Sequence, residues 1–377
     1  MKKIKLLSLC GIFLSLVAQS YTAVPDSLVE HRLFLMGDAG DPVPDDKFMP
    51  NYLAMKSRLN ISPEKNLMLI LGDNIYPKGL PPESDEKYDE YKLILDEQIN
   101  LAKETGVKMY MIPGNHEWNY YKDGGWEYVV RQQKYVDKYG EGQMEFYPKG
   151  GKAGGLVKDF GDFRVVIFDT QWFIHKYAKP FADREEEVTD SIFTALEKII
   201  TESKDKKVII AAHHPYRTNG IHGGYFNLQD HLFPLTYFNK YLWIPLPIIG
   251  PAYPIARNNG ISSQDTSGKK YSILIDRFKK LFEKTPPFAF VSGHEHNLQV
   301  LDLGNFYQLV SGSGRAHHLS KLLGEDDMLY GVAQGGFMIL NEMKNKTTIL
   351  EVWVTDEKGN PHLNYQKTLR QAQGDKE

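Results

Sequence analysis

Five short apolar runs in this chain stop in the same way, at a small residue followed by Asp, Asn or His. Residues 33–36 lead into Gly37-Asp38-Ala39-Gly40, residues 67–71 into Gly72-Asp73-Asn74-Ile75-Tyr76, and residues 107–112 into Pro113-Gly114-Asn115-His116-Glu117-Trp118. Later, residues 208–212 deliver His213-His214-Pro215-Tyr216, and residues 288–291 deliver Ser292-Gly293-His294-Glu295-His296-Asn297-Leu298-Gln299. Short apolar runs bounded by Gly and Pro read as buried strands. Between the first three, residues 52–59 and 88–103 have helical spacing, the second with Tyr91, Leu95, Ile99 and Ala102 on one face. Strand and helix in alternation predict βαβ units around a parallel sheet. Ligands of open α/β sheets gather at the carboxyl ends of strands, so all five polar clusters are expected at one edge.

The rest of the chain is read the same way. Residues 140–155, rich in Gly and Lys, predict a loop or hairpin, residues 165–169 a strand, and residues 190–203 a helix with Ile192, Leu196, Ile199 and Ile200 inward. Residues 273–283 predict a helix, while 306–310, 336–340 and 348–354 alternate like strands of a second sheet. Composition changes across 217–270, where Trp243-Ile244-Pro245-Leu246-Pro247-Ile248-Ile249-Gly250-Pro251 carries too many prolines for a regular helix. We read 217–270 as an insertion beside the site: packed on the body, a lid, or a surface meeting a partner or, through 243–255, a membrane. Residues 368–377 read as a charged, disordered tail.

With 377 residues the chain can bury a large core, and its net charge of −3 provides no basic field for nucleic acid as a stable partner. Met1-Lys2-Lys3-Ile4-Lys5, an apolar run and small residues up to Ala23 make residues 1–23 a secretory signal peptide. Export to the periplasm, the medium or the cell surface is therefore expected, with residues 24–367 forming one domain. The single cysteine, Cys10, falls inside that leader. Ligands for a metal must then be His, Asp, Asn or Tyr.

A core has no use for Asp38, Asp73, Tyr76, Asn115, His116, His213, His294 and His296 at strand ends unless something offsets their desolvation. Two solvated histidines in a polar turn would account for His294 and His296 but leave the other clusters unexplained. Two cations about 3.5–4 Å apart, bridged by one carboxylate, would account for all. Such a pair binds a phosphoryl group and lowers the pKa of a bound water, while a protonated histidine serves the leaving alkoxide. The nucleotide-binding patterns GxxxxGK[ST] and GxGxxG do not occur.

Taken in order, these five blocks resemble those of the calcineurin-like metallophosphoesterase superfamily. Tyr76, three residues after Asp73, is similar to the purple acid phosphatase branch. Asn74-Ile75-Tyr76 and His296-Asn297-Leu298-Gln299 resemble its small, tartrate-resistant type. The resemblance spans about residues 31–355, apart from the insertion. It implies a four-layer α/β/β/α sandwich of two mixed sheets, the metallophosphatase fold. It also implies an acid-phosphatase-like hydrolysis of phosphomonoesters by attack of a metal-bound hydroxide.

The resemblance further implies one metal on Asp38, Asp73, Tyr76 and His296 and a second on Asp73, Asn115, His213 and His294, with Asp73 bridging. The phenolate favours Fe3+, with Fe2+, Zn2+ or Mn2+ beside it. His116 is then the acid, and His222 a further phosphate contact. Glu117, where Asp is more frequent, is expected to orient His116, His214 to lie behind the ligands, and Asp169 to be structural. His317 and His318 are expected at the pocket rim or in solvent. The alternatives are a phosphodiesterase on nucleotides or phospholipid headgroups, and a non-catalytic metal- or phosphate-binding surface protein. Oligomeric state is not legible.

Overall fold

The computed structural model describes residues 21–41, 50–203, 205–237, 239, 241–315, 319–324 and 326–371. Most of the expected leader, His317, His318 and residues 372–377 lie outside them. Among the described residues, strands form two seven-stranded sheets. The first runs β14 (Pro361–Leu369), β13 (Thr348–Thr355), β12 (Gly336–Met343), β1 (Val29–Met36), β2 (Asn66–Ile70), β3 (Lys108–Met111), β4 (Met144–Phe146). The second runs β11 (Met328–Val332), β9 (Leu298–Asp302), β10 (Tyr307–Ser311), β8 (Ala289–Ser292), β7 (Lys207–Ala211), β6 (Phe163–Phe168), β5 (Gly154–Phe160).

Period-two alternation explains why the sheets stack. Leu33, Leu35, Leu67 and Leu69 of the first sheet join Val165, Ile167, Ile209, Ala211 and Val291 of the second in one buried cluster. Their alternates Phe34, Met36, Met68, Ile70, Val166, Phe168 and Ile210 belong to the cluster that includes the helices. A fully buried side chain of this size contributes roughly 1.5–3 kcal/mol. A one-residue slip would exchange the two faces, so burial fixes the register. Helices α1 (Pro50–Leu59), α2 (Tyr88–Thr105) and α3 (Gly125–Tyr139) cover the first sheet. Helices α4 (Thr170–Ile174), α5 (Glu185–Glu202) and α8 (Lys269–Phe282) cover the second. The result is the four-layer α/β/β/α sandwich, with Tyr91, Leu95, Ile99 and Ala102 all buried on α2.

Four details differ from expectation. Residues 336–340 and 348–354 do not join residues 306–310 in the second sheet: β12 pairs antiparallel with β1, Leu33 opposite Leu340, and β13 follows it. Alternation reports which face of a strand is apolar, not which neighbour it takes. Residues 140–155 are not one hairpin, because β4 pairs with β3 in the first sheet and β5 with β6 in the second. Helix α3 has no counterpart in the sequence reading. The final strand β14 extends to Leu369, two residues into the stretch expected as a tail. Residues 217–270 contain α6 (Leu228–Leu232), α7 (Ala252–Asn258) and irregular backbone, with turns at 247–250 in the proline-rich run.

Candidate metal centre

Strands β1, β2 and β3 are parallel neighbours, as are β6, β7, β8 and β10, so both sheets release their carboxyl ends on one side. The two edges are tied together. Gly37 N–H donates to the Ser311 carbonyl (2.8 Å), and Gly314 N–H to the Gly37 carbonyl (2.9 Å). A Cβ at Gly293 would collide with the Asp38 carboxylate, so glycine there permits the close approach. Asp38, Asp73 and His294 themselves turn through the left-handed region, with φ of 58°, 51° and 69°. Non-glycine residues held there mark positions that the surrounding structure over-determines.

The donors fall into two groups that share Asp73. In the first, the Tyr76 phenol oxygen lies 3.1 Å from Asp38 Oδ1, 3.2 Å from Asp73 Oδ2 and 3.1 Å from His296 Nε2. One O–H cannot serve both carboxylates at once. In the second, Asn115 Oδ1 lies 3.1 Å from both His213 Nε2 and His294 Nδ1, and His213 Nε2 lies 3.4 Å from Asp73 Oδ1. The remaining ring nitrogens are committed: His213 Nδ1–H donates to the Leu71 carbonyl (2.8 Å) and His294 Nε2–H to the Gln264 carbonyl (2.8 Å). Imidazoles so fixed bring their other nitrogens, His213 Nε2 and His294 Nδ1, within 3.3 Å of each other. Carbonyl contacts of this kind hold metal-binding histidines in the required tautomer.

Electrostatics ask for positive charge in the same place. Burial disfavours charge on His213, yet the Asp73 carboxylate holds its pKa up at about 9. Burial and then the neighbouring imidazoles of His222, His214 and His213 push His294 well below its ordinary value. Burial alone would raise the Asp73 carboxyl, but His116 and His213 hold it well below the usual carboxylate range. Burial, then Asp38 and Asp73, push the Tyr76 phenol up, so a phenolate here needs a compensating cation. The donor set therefore fits two cations: hard oxygen ligands on one side, two imidazoles and an amide oxygen on the other, and one carboxylate oxygen facing each.

The other expected residues are placed as follows. His116 lies between the rings of Tyr76 (4.3 Å) and Tyr120 (4.6 Å). Its Nδ1–H donates to the Pro77 carbonyl (2.6 Å), which leaves Nε2 3.6 Å from Asp73 Oδ2. Glu117 does not orient His116. Its longer side chain is buried beneath the loops, where the carboxylate accepts N–H groups of Asp73, Asn74, Ile75 and Gly114 at 2.7–3.1 Å. His214 is near enough to His213 and His294 to share a cation. Both its nitrogens, however, face Thr170 Oγ1 (2.8 Å) and Gln264 Oε1 (2.9 Å). Asp169 caps α4 and accepts from the Trp118 indole, a structural position.

His222 reaches the centre because Glu295 accepts its backbone N–H (3.0 Å) and the Thr218 hydroxyl (3.3 Å). Its ring lies 4.2 Å from that of His294, and its Nδ1 faces Asp265 Oδ1 at 2.9 Å. The sequence reading missed Asp265 and Arg257. Arg257 forks onto Asp265, with Nε to Oδ2 at 2.8 Å and Nη2 to Oδ1. No local spacing connects residues 222, 257 and 265. The insertion thus forms a wall of the site: Tyr253, Arg257, Ile261 and Gln264 line a cavity of about 370 Å³ with Asp73, Asn115, His116, Tyr120, His222 and His296. A larger cleft of about 700 Å³ between α5 and α8 contains none of these donors.

The model of the calcineurin-like phosphoesterase family matches residues 32–298. No curated protein matches the chain. Among solved structures it is similar to GAP50, the anchor in the inner membrane complex of Plasmodium, at TM-score 0.56 and 12% identity over 92% of this chain and 90% of that one. It is similar to a purple acid phosphatase from yellow lupin (Lupinus luteus) seeds, at TM-score 0.53 and 14% identity over 92% of this chain and 55% of that one. PhoD gives TM-score 0.54 and 12% identity, over 92% and 70%. At such identities these likenesses speak for the fold. The family match and the converging strand ends lead to one statement: this chain belongs to the calcineurin-like phosphoesterase family.

Proposed function

We propose that the protein is an exported, acid-phosphatase-like enzyme that hydrolyses phosphomonoesters. The observation that carries this reading is the division of the buried donors into two groups sharing Asp73, beside a cavity that contains His116 and His222. Asp38, Asp73, Tyr76 and His296 would hold Fe3+, and Asp73, Asn115, His213 and His294 would hold Fe2+, Zn2+ or Mn2+. Bound there, the pair supplies Lewis acidity toward a phosphoryl oxygen and activates water.

The chain's own groups do the rest. His116, its Nδ1–H held by Pro77, presents Nε2 to the leaving oxygen and gives it a proton. His222, held through Nδ1 by Asp265, offers its other nitrogen to a phosphoryl oxygen. The Arg257 guanidinium, fixed by Asp265, adds positive charge at the cavity wall. The leader-like residues 1–23 support export, which a cell-fractionation blot for the chain would test.

Hydrolysis of phenyl phosphate beside bis-phenyl phosphate, over roughly pH 4–9, tests the main reading. Monoester turnover with an acidic optimum, abolished in Asp73→Ala, is expected. Preference for the diester would make the protein a phosphodiesterase. Absence of turnover by protein carrying two metals would leave a binding protein.

A further inference from the structure

Residues 241–256 contain no Asp, Glu, Lys, Arg or His and include Pro245, Pro247, Pro251 and Pro254. This uncharged stretch is not folded inward. Trp243 is 56% exposed, Ile248 91% and Ile249 64%, with Tyr241, Ile244 and Ile255 exposed beside them. Apolar residues this open, contiguous in sequence, mark a contact surface rather than ordinary surface scatter.

The same segment leads to the catalytic cavity. On α7, Tyr253 and Arg257, one turn apart, line the cavity while Ile255 faces outward. Ile261, 76% exposed, also lines it. Aromatic rings connect the two regions: Tyr253 lies 4.9 Å from Tyr237, and Trp243 packs 5.4 Å from Phe233. The apolar strip therefore runs from the tip at Ile248 to the rim of the phosphate site.

We propose that this strip docks on a neutral lipid bilayer and that the substrate is a phosphomonoester lipid presented by that bilayer. The inference rests on the phosphomonoesterase reading above and names its substrate class. Three features favour a bilayer over a protein partner. There are no charges to set a register. Over residues 243–250 the prolines leave an irregular tip with few free N–H groups, and only the two-turn α7 behind it is regular. Aliphatic Ile248 and Ile249 occupy the tip, with Trp243 and Tyr241, whose amphipathic rings prefer the headgroup level, behind it. A lipid phosphate would reach His116 and His222 while its acyl chains stayed beside the Ile248–Ile249 tip.

The test uses the metal-loaded protein, phosphatidylcholine vesicles with and without phosphatidic acid, and the soluble monoesters glycerol 3-phosphate and phenyl phosphate. Co-sedimentation with pure phosphatidylcholine vesicles, insensitive to salt, is expected, as is faster turnover of vesicle phosphatidic acid than of glycerol 3-phosphate. The double variant Ile248→Ser/Ile249→Ser should lose about tenfold or more in vesicle binding and in phosphatidic acid turnover, with phenyl phosphate hydrolysis unchanged.

Phenyl phosphate turnover without vesicle binding would overturn the inference and leave the phosphatase reading standing. Vesicle binding with no gain on phosphatidic acid would overturn the lipid substrate. A concentration-dependent dimer by light scattering, lost in the double variant, would assign the strip to a second copy and overturn it too. Failure on every ester would instead sink the phosphatase reading, and the co-sedimentation would still decide the bilayer contact.

Discussion

The guanidinium of Arg315 lies over the ring of Tyr76, 4.2 Å from its centroid. Asp41 holds it there, with Nε to Oδ2 at 2.9 Å and Nη2 to Oδ1 at 2.5 Å. A fixed cation on a phenol ring lowers the energy of the phenolate and opposes the carboxylates of Asp38, Asp73 and Asp41 that disfavour it. With Tyr76 bound to Fe3+, Arg315→Met should shift the phenolate-to-iron absorption band to longer wavelength and reduce retained iron. An absorption spectrum with metal analysis checks this; an unmoved band would show that Arg315 does not act on the bound phenolate, and a band that survives Tyr76→Phe would show that Tyr76 is not the ligand.

His116→Ala should separate leaving groups. General acid catalysis is worth about 10²–10⁴-fold, but only where the departing oxygen needs a proton. We expect a loss in that range for an alkyl phosphate and a much smaller one for 4-nitrophenyl phosphate. Equal losses on both would mean that His116 contacts the phosphate without donating to the leaving group.

Glu117 offers a stability test apart from catalysis. Its carboxylate collects four backbone N–H groups from two ligand-bearing loops. Glu117→Gln turns an amide N–H₂ toward donors, and a cost of about 1–3 kcal/mol is expected from an unsatisfied buried group. Burial, then the charge on Asp73, push the pKa of this carboxyl up, while the backbone N–H groups of Gly114 and Asn74 favour its ionised form. An unchanged denaturation midpoint would therefore show that the folded protein holds it protonated.

His175 sets an acid limit. It is buried against Trp118 (ring centroids 4.7 Å apart), with neither ring nitrogen hydrogen-bonded. Burial, then the charges on Lys179 and Lys270, lower its pKa from 6.5 to about 4, against a small opposing effect of Asp123. The unfolded chain takes up this proton near 6.5 and the folded one only near 4. Stability should therefore fall as pH drops through that window and level off below it. Thermal melts of His175→Phe should show a flatter acid limb than the parent, and parallel curves would remove His175 as the cause.

The legible part of this molecule is local. Gly37-Asp38, Gly72-Asp73 and Gly114-Asn115 announce strand ends because the tight turn and the polar residue are adjacent in sequence. The apolar face of α2 follows from spacing alone. Partners set by tertiary contact were not legible. Alternation along β12 could not say that it lies beside β1, and nothing near Glu117 signals that its carboxylate points under the loops. Arg257 and Asp265 come together only once the insertion folds against His222. Helix α3 was accessible in principle, since Val129, Gln132 and Val136 are buried at helical spacing.

Both sheets contribute to the centre: Asp38, Asp73, Tyr76 and Asn115 follow strands of the first, and His213, His294 and His296 follow strands of the second. During synthesis, then, the acidic half of the centre leaves the ribosome well before any of its imidazoles. If they hold a cation as proposed, Asp38 and Asp73 must wait for residue 296 before it can find its full set of ligands. On the proposed ligand set, metal capture is accordingly a late event in the life of this chain, and a protein cut anywhere between the two halves would inherit donors without a centre.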